Sequence, residues 1–224
     1  MPNYDKEIEL LAMNPHEFSP VVISGNSGNG KTDFLQKFCE KWKRLHKSAS
    51  EEQSDSKCVK ILKSNDIYQN IIDSISKNEP LKWQEAFVPY SVIIIDDIDT
   101  LAAKMTTQDI LLYYLTSCNK SIVVTSETDI KGRGFSSKFS AFFSSGAHIH
   151  IDSPDKDSKQ DFLTDQLTVN NLFVDEDALL WLTDQNFASF AAIKGFIKTL
   201  RFFKTDRAYT LEECKRLVKS YITI

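Results

Sequence analysis

The chain has 224 residues, 42% apolar and 26% charged, the balance of a globular protein with one domain and room for a small appendage rather than of a disordered tail. Lys and Arg number 27 against 31 Asp and Glu, a formal charge of −4, which argues against a protein that coats nucleic acid by bulk charge. Apolar runs are far shorter than the ~20 residues of a spanning helix and the N-terminus lacks the apolar stretch of a secretory signal, so a cytoplasmic location with no membrane partner is expected.

In chain order, residues 20–24 read as a short apolar strand entering a Gly-rich turn. A helix follows over 32–45, with Phe34, Leu35, Phe38, Trp42 and Leu45 at helical spacing. The polar, Ser-rich stretch 47–57 reads as a loop. Residues 58–62 read as a second strand and 66–76 as a helix with Ile67, Ile71, Ile72 and Ile75 on one side. The uninterrupted β-branched run at 91–95 marks a strand buried on both faces of a parallel sheet. A helix over 108–115, a fourth strand at 121–125 and a fifth at 148–151 complete an alternation that predicts right-handed βαβ units. The pattern changes at Asp152-Ser153-Pro154: beyond it come only helical stretches, near 156–169, 175–185, 189–203 and 210–221. The expected division is an α/β domain over 1–154 and an all-helical subdomain over 155–224.

Cys39, Cys58, Cys118 and Cys214 have no zinc-site spacing and no Cys-x-x-Cys pair, so they are expected to be free thiols of a reducing compartment. His148 and His150 alternate on one strand face, without an acidic or Cys ligand at fixed spacing, so no metal site is expected there.

The strongest motif is Gly25-Asn26-Ser27-Gly28-Asn29-Gly30-Lys31-Thr32, which fits G-x-x-x-x-G-K-[ST] at every fixed position. Glycines let backbone N–H groups wrap a phosphate, and the helix that follows aims its positive end at the same anion. Lys31 is expected to reach the β- and γ-phosphates, and Thr32 to coordinate Mg²⁺. Second, the strand at 91–95 ends in Asp96-Asp97, which places two carboxylates at the edge where open α/β sheets bind ligands. Asp96 is expected to hold Mg²⁺ and Asp97 to polarise the attacking water. Asp99, two residues on, fits a surface or partner role as easily. Third, Thr125 and Ser126 put hydroxyls at the end of the fourth strand, positioned to orient that water.

The order of these residues resembles the AAA+ ATPases, most closely the ATPase region of bacterial replication initiators of the DnaA type. The phosphate loop leads into Phe34-Leu35-Gln36, residues 65–73 look like that family's second helix, and residues 90–98 resemble its Walker B region. Residues 122–126 look like its sensor 1 strand, and 188–200, with Gly195 inside, like its lid helix. The resemblance covers roughly residues 14–222 and implies a P-loop AAA+ core, a parallel five-stranded sheet flanked by helices, with a small all-α C-terminal lid. It also marks departures. Aligned on Gly146, Lys138 and Phe142 stand where that family has arginines, with Arg133 the nearest arginine; Ala191 stands at the sensor 2 position, and Lys194 lies one turn later.

The implied cofactors are ATP or ADP with Mg²⁺, Lys194 joining residues 25–32 in nucleotide binding. The implied role is regulation of, or assistance to, replication initiation through nucleotide-dependent contacts with a protein partner: the initiator, a clamp or a helicase. No DNA-binding domain like the initiators' is expected, and the organisation resembles that of stand-alone regulators such as Hda, though residues 1–15 lack their clamp-binding motif. Self-association is compatible with this role. Hydrolysis is expected to be slow, because an arginine finger is worth ~10³–10⁵ in rate. Lys194, Lys198, Arg201 and Lys204 form a basic stripe on one helix face, too small for more than weak DNA binding. The rival readings are a nucleotide-binding interaction module without useful catalysis, a DnaC-like helicase loader, and a small-molecule kinase, for which the helical tail offers no acceptor site.

Overall fold

A computed structural model describes residues 4–46, 58–128, 130–132, 134–203 and 207–222. The predicted loop at 47–57, Lys204, Arg133 and the Cys58 side chain lie outside the described residues. The chain divides into two compact units. One comprises residues 4–25 and 31–151; the other comprises 152–222 together with residues 26–30 of the glycine-rich loop, a grouping that a single boundary in the chain does not express.

In the first unit, β1 (Val21–Ser24), β2 (Cys58–Lys63), β3 (Tyr90–Asp96), β4 (Ser121–Ser126) and β5 (Ala147–His150) form one all-parallel sheet in the order β2-β3-β4-β1-β5. Every residue of the central strand β4 is buried, which is why its middle, Ile122 to Thr125, is a continuous β-branched run rather than an alternation. Period-two geometry sends Ile93 and Ile95 to one side of the sheet and Val92 and Ile94 to the other. The first pair meets Ile67 and Ile71 of α4 (Ser64–Ser76), Leu111 and Leu115 of α5 (Met105–Ser117), and Phe139 and Phe143 of α6 (Ser137–Ser144). The second meets α1 (Asp5–Met13) and α3 (Lys31–Leu45), through Ile8, Leu11, Phe34, Leu35 and Phe38. At ~1.5–3 kcal/mol for each fully buried large apolar side chain, these two layers fix the strand ends where the site is built.

The predicted strands fall in place with ends moved by a residue or so; the fifth spans 147–150 rather than 148–151, and Ile151 follows it, its N–H bonded to the Ser24 carbonyl at 2.7 Å. The sequence reading leaves out α1, the short α2 (Pro15–Phe18), α6, and the 3₁₀ turns Lys82–Phe87 and Ile98–Leu101.

The second unit contains α7 (Lys156–Val169), α8 (Glu176–Thr183), α9 (Phe190–Phe202) and α10 (Leu211–Val218) around its own core, which includes Phe162, Leu182, Phe187, Phe196 and Leu200. Asp155, Ser189 and Thr210 cap the starts of α7, α9 and α10 through side-chain bonds to backbone N–H groups. Among the described residues no helix is long and apolar enough to cross a membrane.

Candidate functional site

The glycine-rich loop runs from the end of β1 into the first turn of α3. Gly28 and Gly30 have φ of +79° and +106°, where an L side chain is strained. A Cβ on Gly30 would meet nothing within 4 Å, while one on Gly28 would come within 2.7 Å of Ser189 Oγ and 2.8 Å of the Ala191 Cβ. Ala191 therefore lies against the loop. Asn29 is buried and donates to Ser153 Oγ at 3.3 Å; Asn26 and Ser27 are exposed. Gly25 is buried, and its carbonyl accepts from Lys31 Nζ at 2.6 Å.

Thr32, in the first turn of α3, donates from Oγ1 to Asp96 Oδ2 at 3.3 Å. Thr125 Oγ1 donates to the other oxygen, Asp96 Oδ1, at 2.6 Å. The same Thr125 oxygen accepts the N–H of Asp97 at 2.8 Å. Asp97 sits in the left-handed region at φ 62° and ψ 58°, which Asp tolerates better than most residues, and its carbonyl accepts a bond from Ser64 Oγ. Its carboxyl is pushed above the ordinary range by burial, then by the charges of Asp99, Glu127 and Asp96, with Lys31 pulling it back.

Thr125 and Ser126 are both fully buried, and their hydroxyl protons are committed: Thr125 to Asp96, Ser126 to Asp99 Oδ1 at 2.9 Å. They brace the acids. Lys194 is exposed, and its ammonium stands 5.7 Å over the Phe162 ring on α7, drawn there by the ring's negative face. Lys138 is exposed on α6, and Phe142 packs edge-on against Phe143 with ring centroids 5.0 Å apart.

Sequence reasoning missed Ser64 and Gln108, and gave Asp99 a surface or partner role. Asp99 is a brace: beyond Ser126 it accepts from Glu127 N at 2.6 Å and Thr128 Oγ1 at 3.2 Å, tying the end of β4 to the turn after β3. Ser64, at the start of α4, fixes the Asp97 carbonyl. Gln108 is fully buried and donates to the carbonyls of Leu101 and Gly134 at 2.8 Å each, while accepting Ser136 N at 2.8 Å. Each is a long-range partner that no local spacing announces; only the hydroxyl-rich Ser126 and the acid-rich 96–99 stretch gave a hint.

The donor set fits a hard divalent cation with phosphate ligands. Thr32 and Asp96 offer oxygen at one point, and the charges of Asp99, Glu127 and Asp96 that add to burial in lifting the Asp97 pKa are offset by added positive charge. The loop supplies glycine-flanked N–H groups and Lys31 beside it.

The model of the bacterial DnaA ATPase domain family matches residues 6–150. Chromosomal replication initiator protein DnaA of Spiroplasma citri is 28% identical over 218 residues, covering 91% of this chain and 47% of that protein. The same protein of Buchnera aphidicola is 24% identical, covering 98% of this chain and 50% of that one. The chain thus spans about half the length of the initiators it matches. Among solved structures, domain III of Thermotoga maritima DnaA superposes with a TM-score of 0.84 at 20% identity, covering 100% of this chain and 94% of that one. A replication initiator DnaA bound to AMPPCP and single-stranded DNA gives 0.70 at 19%, covering 88% of this chain and 59% of that one.

Proposed function

The chain belongs to the bacterial DnaA ATPase-domain family, and from that premise we propose that it binds ATP or ADP with Mg²⁺ at residues 25–32 and turns the bound state into protein contacts that regulate or assist replication initiation. The observation that carries this reading is the meeting of two remote motifs: Thr32 of the loop's helix and Asp96 at the end of β3, with oxygens 3.3 Å apart.

Each residue then has a task. Backbone N–H groups of residues 26–30 receive phosphate oxygens. Lys31 exchanges the Gly25 carbonyl for the β- and γ-phosphates, and Thr32 and Asp96 hold Mg²⁺. When bound, the nucleotide supplies the scissile phosphoanhydride and the metal neutralises its charge. Asp97, with its raised pKa, accepts a proton from the attacking water. Thr125 is a positioning residue for Asp96 and Asp97, and Ser126 for Asp99. Lys194 leaves the Phe162 ring to meet phosphate. With Ala191 and Phe142 in place of arginines, turnover is slow, since a finger is worth ~10³–10⁵. The partner is a protein: the initiator itself, a clamp or a helicase. Duplex DNA is bound weakly, the location is cytoplasmic, and self-association is compatible with the role.

A second reading, a nucleotide-binding module without useful turnover, is favoured by Ala191 lying against Gly28. Calorimetric titration with ATP and ADP, then turnover assays with and without initiator and DNA, test both. Absence of affinity for either nucleotide defeats the proposal. Affinity without turnover under every condition selects the second reading.

A further inference from the structure

Asn29 stands apart from the other polar residues of the phosphate loop. Asn26 and Ser27 are exposed, whereas Asn29 is 4% exposed. A buried side-chain amide has to be bonded. Asn29 Nδ2 donates to Ser153 Oγ at 3.3 Å, across 124 residues of sequence. One amide donor in the middle of a ligand-binding loop is thus spent inside the protein.

The backbone on either side of Asn29 needs such a hold. Gly28 and Gly30 flank it with φ of +79° and +106°. Two glycines around one residue give the backbone its greatest freedom. A loop that aims several N–H groups at one anion binds better when that freedom is removed before the anion arrives. Among the side chains of residues 26–30, only that of Asn29 is buried. The loop is therefore held at Asn29 and open at Gly30, where a Cβ would meet nothing within 4 Å.

Ser153 is well placed to be the fixed end of this bond. It is exposed and lies in the irregular stretch before α7. Pro154 follows, buried, and a proline restricts the residue before it to extended backbone. Asp155 then caps α7, accepting the Ser158 N–H at 2.7 Å. The hydroxyl is carried on backbone that ring and cap both restrain.

We propose that Asn29 and Ser153 are a positioning pair for the phosphate loop. Their bond holds residues 28–30 in the shape that receives phosphate, so nucleotide affinity is set in part by a serine far outside the motif. Neither side chain has to touch the nucleotide. This deepens, and rests on, the reading of residues 25–32 as the nucleotide site.

A double-mutant cycle with Asn29→Ala and Ser153→Ala in the full chain tests it, read by calorimetric titration with ATP and with ADP. Each single variant should weaken both nucleotides at least about threefold, inside the roughly 2- to 12-fold that one net hydrogen bond is worth. The double variant should bind no more weakly than the weaker single, because both changes remove one bond. Ser153→Thr keeps the hydroxyl and should bind as wild type does. Ser153→Ala is a change at an exposed position and should leave the melting temperature within a few degrees. Without nucleotide, the NMR order parameters of the Gly28 and Gly30 N–H groups should fall in Ser153→Ala from rigid values of ~0.85 toward ~0.6, and recover in Ser153→Thr. Wild-type ATP affinity in Ser153→Ala, losses that add in the double variant, or unchanged order parameters at Gly28 and Gly30 overturn the proposal. If the wild-type chain binds neither nucleotide, the reading of the site fails, and the order parameters alone decide whether the pair holds the loop.

Discussion

Thr125 and Asp96, on neighbouring strands and 29 residues apart, share a 2.6 Å hydrogen bond from hydroxyl to carboxylate. The same Thr125 oxygen takes the Asp97 N–H, so one buried hydroxyl sets both acids at the end of β3. Thr125→Val keeps the shape and removes the bond. The partly buried N–H of Asp97 then loses this acceptor, and Asp96 keeps its bond from Thr32. The expected loss is ~1–3 kcal/mol in urea unfolding, with most of it recovered by Thr125→Ser. The variant should also lose part of the Mg²⁺-dependent gain in ATP affinity. Unchanged stability and Mg²⁺ dependence would mean that the hydroxyl braces nothing.

Lys31 now bonds the Gly25 carbonyl, a neutral acceptor that a phosphate oxygen can replace. A charge-assisted contact to phosphate is stronger than one to a carbonyl. Lys31→Ala should therefore weaken ATP and ADP binding at least tenfold, or ~1.4 kcal/mol, while leaving the melting temperature within a few degrees. Calorimetric titration with each nucleotide reads this directly. Equal affinity in wild type and variant would remove the loop from nucleotide binding.

The strands buried on both faces were legible because burial leaves no room for polar alternation: β3 and β4 announce themselves as β-branched runs. The loop and its helix were legible because phosphate chemistry demands fixed local spacing. Helix α6 was not, although Ser136 caps it and Phe139 and Phe143 repeat at helical spacing; that stretch was read for arginines instead. Thr125 and Ser126 were located, but alternation gives the face a side chain takes, not its partner. The bracing role of Asp99 and the place of Gln108 were missed for the same reason, since all of their partners but Leu101 lie 26 to 29 residues away.

Gln108 offers a test of that long-range wiring. It is buried, with both ends of its amide used: two donated bonds to Leu101 and Gly134, one accepted from Ser136. Gln108→Ala removes all three bonds, leaves the Ser136 N–H without this acceptor while the Leu101 and Gly134 carbonyls keep the N–H groups of Lys104 and Ala103, and opens a cavity between α5 and the segment before α6. The cost should be at least ~2 kcal/mol by denaturant unfolding. Hydrogen exchange at Ser136 N should rise more than at strand β4. A loss below ~0.5 kcal/mol, the usual range for surface substitutions, would show that this latch is not engaged in solution.

Asp97 couples stability and chemistry with opposite signs. Burial first, then Asp99, Glu127 and Asp96, raise its folded pKa above the ordinary 3.8. Between that value and the folded pKa, the native state keeps a proton the unfolded chain has released. Stability therefore falls as pH rises through this window, and the ionised carboxylate is a liability at neutral pH. The residue is exposed, so solvent screens much of the effect. Asp97→Asn removes the charge and keeps a residue that tolerates φ 62°. It should melt higher than wild type at neutral pH, with the difference closing as pH falls below the carboxylate range. The amide cannot take a proton from water, so turnover per bound ATP should drop by ~10²-fold or more, the usual worth of a general base, while ATP affinity stays within a few-fold. Thermal melts at acid and neutral pH and single-turnover hydrolysis measure the two halves separately. A variant that melts lower than wild type at neutral pH refutes the electrostatic half; one that loses ATP but hydrolyses what it binds at the wild-type rate refutes the catalytic half.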